Sequence, residues 1–175
     1  MTTPLEQTTI STKPPISEKR LEAGRAFFRQ LLDEGKSIYE IRGLTKENME
    51  ALYFIAHRLY TEEKYKEACP LFQLMAFYDY YDKRAWMGAA SCLEQLKDYK
   101  MAIQGYACAS ILDPENPDPV YHSLNCFLEL DDIPQAINAL EVIISLANHK
   151  KGFYDELKHK AESMKEALLR NNPQK

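Results

Sequence analysis

Hydrophobic and polar positions follow a helical period along most of the chain, and the pattern itself returns every 34 residues. Ala68, Ala102 and Ala136 mark the recurrence. Tyr65, Tyr99 and Ile133 stand three positions before each alanine, and Phe72, Tyr106 and Leu140 four positions after it. Further upstream run the columns Leu52, Trp86, Val120 and Leu59, Leu93, Phe127. Each period predicts two amphipathic helices joined by a tight turn, at Glu63-Lys64, Lys97-Asp98 and Asp131-Asp132. None of these turns carries the glycine usual after a helix. Pro114 behind Asp113 ends one helix, and Pro117 and Pro119 open the next, where a missing N–H is tolerated. The P-x-x-P spacing of Pro114 and Pro117 is punctuation on this reading, not a ligand motif.

The repeating segment spans residues 45–150, with Thr45 capping its first helix and repeats at 49–82, 83–116 and 117–150. Residues 1–16 are rich in Thr and Pro and have too few apolar groups to offset the entropy of ordering, so they are expected to be disordered. Residues 17–44 read as an N-terminal helix and connector. Ser17 is placed to cap that helix, Leu21, Phe28, Leu31 and Leu32 form its apolar stripe, and Gly35 ends it. In residues 151–175 a final amphipathic pattern (Phe153, Leu157, Ala161, Met164, Leu168) predicts a helix that covers the last apolar face, followed by a short tail.

A helix–turn–helix unit of this period resembles the tetratricopeptide (TPR) repeat. The expected fold is therefore all-α: a TPR solenoid of three repeats with an N-terminal helix and a C-terminal capping helix. Such stacks bind extended peptides along a concave face. The resemblance turns the second, fifth, ninth and twelfth positions of each first helix inward. Those are Glu50, Tyr53, His57 and Tyr60, then Arg84, Met87, Ser91 and Glu94, then Asp118, Tyr121, Asn125 and Leu128. Tyr53, Tyr60, Met87, Tyr121 and Leu128 make this lining more aromatic and apolar than a solvated face, which suits capture of apolar anchors, although some of them are equally at home in a core. Tyr53 and His57 stand where TPR cochaperones that grip a C-terminal carboxylate carry Lys and Asn. A carboxylate clamp is therefore not expected.

Composition narrows the function classes. The 175 residues, net charge −4, show no basic stripe for phosphate contacts, so nucleic-acid binding is not expected. No apolar run approaches the length of a membrane span, and the beginning of the chain lacks the order of a secretory signal, which points to the cytoplasm. Cys69, Cys92, Cys108 and Cys126 contain no C-x-x-C pair and read as small buried hydrophobes in a reducing compartment. His57, His122, His149 and His159 have no metal-ligand spacing, and no phosphate loop or nucleophile motif is present. No metal, cofactor or enzymatic activity is expected.

A more selective resemblance runs through residues 45–150. Lys64-Tyr65-Lys66-Glu67-Ala68, then Phe72-Gln73, then Tyr78-Asp79-Tyr80-Tyr81-Asp82-Lys83-Arg84, resembles the class II chaperones of bacterial type III secretion. The likeness continues through Gly88, Ala89, Cys92, Tyr99, Ala102, Ile103 and Tyr106 to His122, Cys126, Leu128 and Ala136. Ala90 departs from it, where that family often has Gly. The resemblance implies a cytoplasmic chaperone that binds hydrophobic translocator proteins through an extended P/V-x-L-x-x-P-type segment and keeps them soluble. It implies peptide contacts at Tyr53, His57, Tyr60 and Tyr106. His57 replaces a typically aromatic residue, which would make the pocket more polar. It also implies a homodimer, with the matching surface at Phe28, Leu31, Leu32, Leu74 and Tyr78. A general TPR scaffold or adaptor for another cytosolic partner is the alternative, and the sequence does not choose the translocator.

Overall fold

The computed structural model describes residues 17–149 and 154–171, and within them all regular structure is helical. The disorder expected for residues 1–16, and Phe153 of the last apolar pattern, lie outside the described residues. The chain divides into two units, Met1–Lys36 and Ser37–Lys175.

In the first unit, α1 spans Glu18–Leu32 and buries none of its residues. Ser17 occupies its N-cap position with extended backbone, but the expected capping bond from its hydroxyl is not formed. Gly35 follows with φ 63°, a left-handed conformation that a residue without Cβ adopts at little cost.

The second unit opens with α2, Ile38–Ile41, a short helix in a stretch whose sequence pattern reads as connector. Ser37 and Glu40 close a capping box around it, with Ser37 N and Oγ each 2.8 Å from Glu40 Oε2. Tyr39 of α2 packs on the first core cluster, and the second unit begins at Ser37.

Three helix pairs follow: α3 (Lys46–Thr61) with α4 (Tyr65–Tyr78), α5 (Lys83–Gln95) with α6 (Tyr99–Leu112), and α7 (Asp118–Glu129) with α8 (Ile133–His149). The last helix, α9, spans Asp155–Asn171. Consecutive helices pack on one another from α3 to α9, and α3 meets α5 as α5 meets α7, which sets the first helices of the pairs side by side. Thr45 caps α3 as expected, accepting from Asn48 N at 3.3 Å. Asp82, Asp98 and Asp132 also accept from backbone N–H groups at the starts of α5, α6 and α8.

The repeat columns are core. Ala68, Ala102 and Ala136 are fully buried where the helices cross, as are Tyr106 and Leu140, with Phe72 at 2% exposure. α9 buries Ala161 and sets Leu157, Met164 and Leu168 against the cluster of Leu124, Leu140 and Ile143. Cys69, Cys92 and Cys126 are buried free thiols, and burial pushes the latter two up to about 12.

The three intra-repeat turns have one geometry. Lys64, Asp98 and Asp132 each donate a backbone N–H, at 2.9 Å, to the carbonyls of Leu59, Leu93 and Phe127. The residue before each donor is left-handed: Glu63 at φ 59°, Lys97 at 64° and Asp131 at 57°. This is the helix ending that glycine ordinarily serves, made here with side chains that crowd the following carbonyl.

Candidate functional site

The first helices of the first two pairs, α3 and α5, border a common pocket. Tyr53, His57 and Tyr60 of α3 face Arg84, Met87 and Ser91 of α5 across an open pocket of about 280 Å³. The Phe72 ring forms its floor and reaches it because Gly88 has no side chain. A Cβ built there would lie 2.5 Å from the ring. Tyr53 meets Phe72 edge to face with centroids 6.1 Å apart, and lies 5.7 Å from the His57 ring. Tyr60 is braced in the same way by Tyr65 at 5.3 Å. The pocket wall is thus aromatic, partly buried and held by packing.

One end of the pocket is fixed by charge. Arg84 donates to both carboxylate oxygens of Glu50, at 2.7 and 3.1 Å, and to both of Asp82, at 2.8 and 3.0 Å. Its guanidinium also lies 4.6 Å from the Tyr53 ring centroid. Glu50 and Arg84, both expected on the inner side, bind each other, and Arg84 lies against Tyr53.

Beyond the pocket the lining becomes polar. Tyr106 of α6 is fully buried, so it supports the lining from beneath instead of presenting its ring to a ligand, as the sequence had implied. Its hydroxyl donates to Glu94 Oε2 and lies 3.2 Å from Ser91 Oγ. His122 stacks on the Tyr106 ring, with centroids 5.1 Å apart and an interplanar angle of 19°, and brings Nδ1 to 3.1 Å from the same Glu94 oxygen. Burial pushes the Glu94 carboxyl up, but the hydrogen bonds from His122 and Tyr106 outweigh it and hold the group below the ordinary carboxylate value.

At the far end, Lys160 of α9 donates to the Tyr121 hydroxyl at 2.6 Å and lies 5.0 Å from its ring centroid. Asn125 is half-buried, and Leu128 packs on the cluster of Leu124, Leu140 and Ile143. Asp118 is exposed at the start of α7, its N–H bonded to Asn116 Oδ1 at 2.9 Å. Sequence reasoning missed Phe72 and Gly88 as pocket residues, His122 as a ligand of Glu94, and Lys160. Phe72 carried a readable signal, since it stands in a repeat column, but the column could not tell core from floor.

Two apolar faces are open. α1 exposes Leu21, Phe28 and Leu32, while Leu31 is half-buried. The first helix pair of the second unit exposes Phe54, Ile55, Leu74 and Phe77. Tyr78, expected on a dimer surface with Leu74, is half-buried against the first core cluster, and its neighbour Phe77 is exposed.

Paired helices in register define a TPR-type helical repeat protein. No protein-family model matches the chain. It is 29% identical over 137 residues to the low calcium response locus protein H of Yersinia pestis, covering 78% of this chain and 81% of that protein. It superposes on PcrH of Pseudomonas aeruginosa in complex with the chaperone-binding region of PopD, with a TM-score of 0.67 and 28% identity, over 74% of this chain and 97% of that one. It likewise matches the type III secretion translocator chaperone SycD of Yersinia enterocolitica in an alternative dimer, with a TM-score of 0.65 and 27% identity, over 74% and 98% of the two chains. The homologues are class II translocator chaperones of type III secretion, as the motifs in residues 45–150 implied.

Proposed function

We propose that this chain is a translocator chaperone of bacterial type III secretion, acting in the cytoplasm. It holds an extended, apolar segment of a pore-forming translocator along its inner face and so keeps that protein soluble and competent for secretion. The observation that carries this is the open aromatic pocket of Tyr53, Tyr60, Phe72 and Met87, built on an otherwise ordinary helical scaffold. Exposed apolar segments associate in water, and a rigid pocket covers an anchor without folding the client. A P/V-x-L-x-x-P-type segment suits this because its prolines leave little conformational entropy to lose.

A homodimer accompanies this reading. A second copy would cover the exposed apolar residues of α1, Phe28 and Leu32 with half-buried Leu31, and those around Leu74 on the first helix pair. Among the described residues, no helix is long and apolar enough to cross a membrane.

The test is co-expression with a candidate translocator, followed by affinity capture. Tyr53→Ala with Tyr60→Ala should abolish capture while far-ultraviolet circular dichroism stays that of the wild type. Because both rings also pack on the first core cluster, melting should fall by a few degrees. Capture that survives the double substitution would rule the pocket out as the client site.

A further inference from the structure

One apolar anchor in the aromatic pocket is not enough to hold a client. Fully burying a leucine-sized side chain contributes about 1.5–3 kcal/mol, whereas association costs at least about 4 kcal/mol. The client must make further contacts along the inner face, and the charges there are not equivalent. Arg84 is shared between Glu50 and Asp82, and Lys160 is engaged with Tyr121. Glu94 differs.

Its Oε2 accepts from both Tyr106 and His122, while Oε1 accepts no hydrogen bond among the described residues. No buried side-chain polar atom among those residues lacks a partner, so Oε1 is accessible, in a side chain that is otherwise only 17% exposed. One face of the carboxylate is therefore locked and the other is open. It lies one helical turn from Ser91, a lining residue of the aromatic pocket.

Resting on the client-binding reading above, we infer that Glu94 is a recognition point for a cationic side chain of the client, placed beside its apolar anchor. Tyr106 and His122 act as positioning residues, because they fix the carboxylate through Oε2 without occupying Oε1. With a single open oxygen, the site suits the point charge of a lysine ammonium. A guanidinium fork has no second acceptor to complete its bidentate geometry. The partly enclosed setting also keeps salt from screening the contact as it would at the surface.

The experiment uses the full chain and fluorescein-labelled extended peptides carrying Pro and Leu anchors. A single lysine is walked through the positions between and beside the anchors, with methionine, arginine and glutamate series alongside, and binding is read by anisotropy. At one position lysine should bind about tenfold more tightly than methionine, the size expected of a hydrogen bond to a charged group. Arginine should be no better than lysine there, and glutamate should be weaker than methionine. In Glu94→Gln the lysine-to-methionine ratio at that position should fall close to one. A ratio near one at every position in the wild type overturns this inference while leaving the groove reading intact. So does an unchanged lysine preference in Glu94→Gln. Failure of every peptide to bind the wild type overturns the groove reading and this inference with it.

Discussion

Replacing Gly88 by alanine sets two effects of opposite sign against each other. In the interior of a helix the change alone should stabilise, by roughly 0.5–1 kcal/mol, because glycine loses more backbone freedom on folding. At Gly88 in α5, however, the new Cβ would sit 2.5, 2.5 and 2.7 Å from three ring atoms of Phe72. Carbon contacts are optimal near 3.5–4.0 Å, so the ring must withdraw by about 1 Å. The ring is only 2% exposed and packed edge-on against Tyr53, so withdrawing it disturbs that packing. Overpacking of this kind costs about 1–3 kcal/mol, and a three-atom clash with a buried ring belongs at the upper end. The net expectation is a loss of about 2 kcal/mol, or roughly 4–8 °C in melting temperature for a chain of this size. Melting followed by circular dichroism, with urea unfolding as a second measure, gives the sign directly. Gly24→Ala in α1, where a Cβ meets nothing within 4 Å, is the control in which propensity acts alone and melting should not fall. A Gly88→Ala protein that melts at or above the wild type would refute the close approach of Phe72, and with it the pocket floor.

Lys97→Gly should stabilise by about 1 kcal/mol, because Lys97 is left-handed at φ 64° and an L side chain is crowded there. A rise of about 2–4 °C in melting temperature is expected, and an unchanged or lower value contradicts the turn geometry. For Glu94, whose folded carboxyl lies below its ordinary value, stability is fully present above the unfolded pKa and is lost as pH falls through the folded one. The melting difference between wild type and Glu94→Gln should therefore be constant near neutrality and shrink below about pH 4.3. A difference that does not change down to pH 3.5 would show that the carboxylate gains nothing from Tyr106 and His122.

What the sequence made legible was whatever repeats. Ala68, Ala102 and Ala136 are fully buried because each must let two helices approach, and one such position per period is visible in a single chain. The missing glycines at Glu63, Lys97 and Asp131 were legible too, as a departure from the pattern, and they prove to be three left-handed residues of nearly equal φ. The Glu50–Arg84 pair was half-legible. The two residues occupy the same inner position in successive repeats, and such neighbours face each other across adjacent first helices. Contacts that join different columns were not legible. Glu94 meets His122 across 28 residues, and Tyr121 meets Lys160 from a helix outside the repeats. Nothing in a 34-residue period places those pairs. Tyr106 shows the limit from the other side: it stands in a core column, and its hydroxyl reaches the inner face while its ring stays beneath it.

The two halves of the inner face can do different work, and the energetics of discrimination say which. An aromatic pocket that accepts leucine distinguishes poorly among apolar side chains, since one methylene changes binding by only about 1–3 kcal/mol. It supplies capacity for any client with a suitable anchor. A carboxylate held in place acts by exclusion. An apolar or acidic residue set against Glu94 takes water from an ionised group and donates no hydrogen bond to it, so the penalty falls on wrong partners more than the gain falls on right ones. The scaffold favours this division. Tyr53 and Tyr60 are braced by apolar packing on the first core cluster, whereas Glu94 is braced by a buried hydroxyl and a stacked imidazole from the second and third helix pairs. Substitutions in the first group should therefore weaken every client together, and substitutions in the second should change their order.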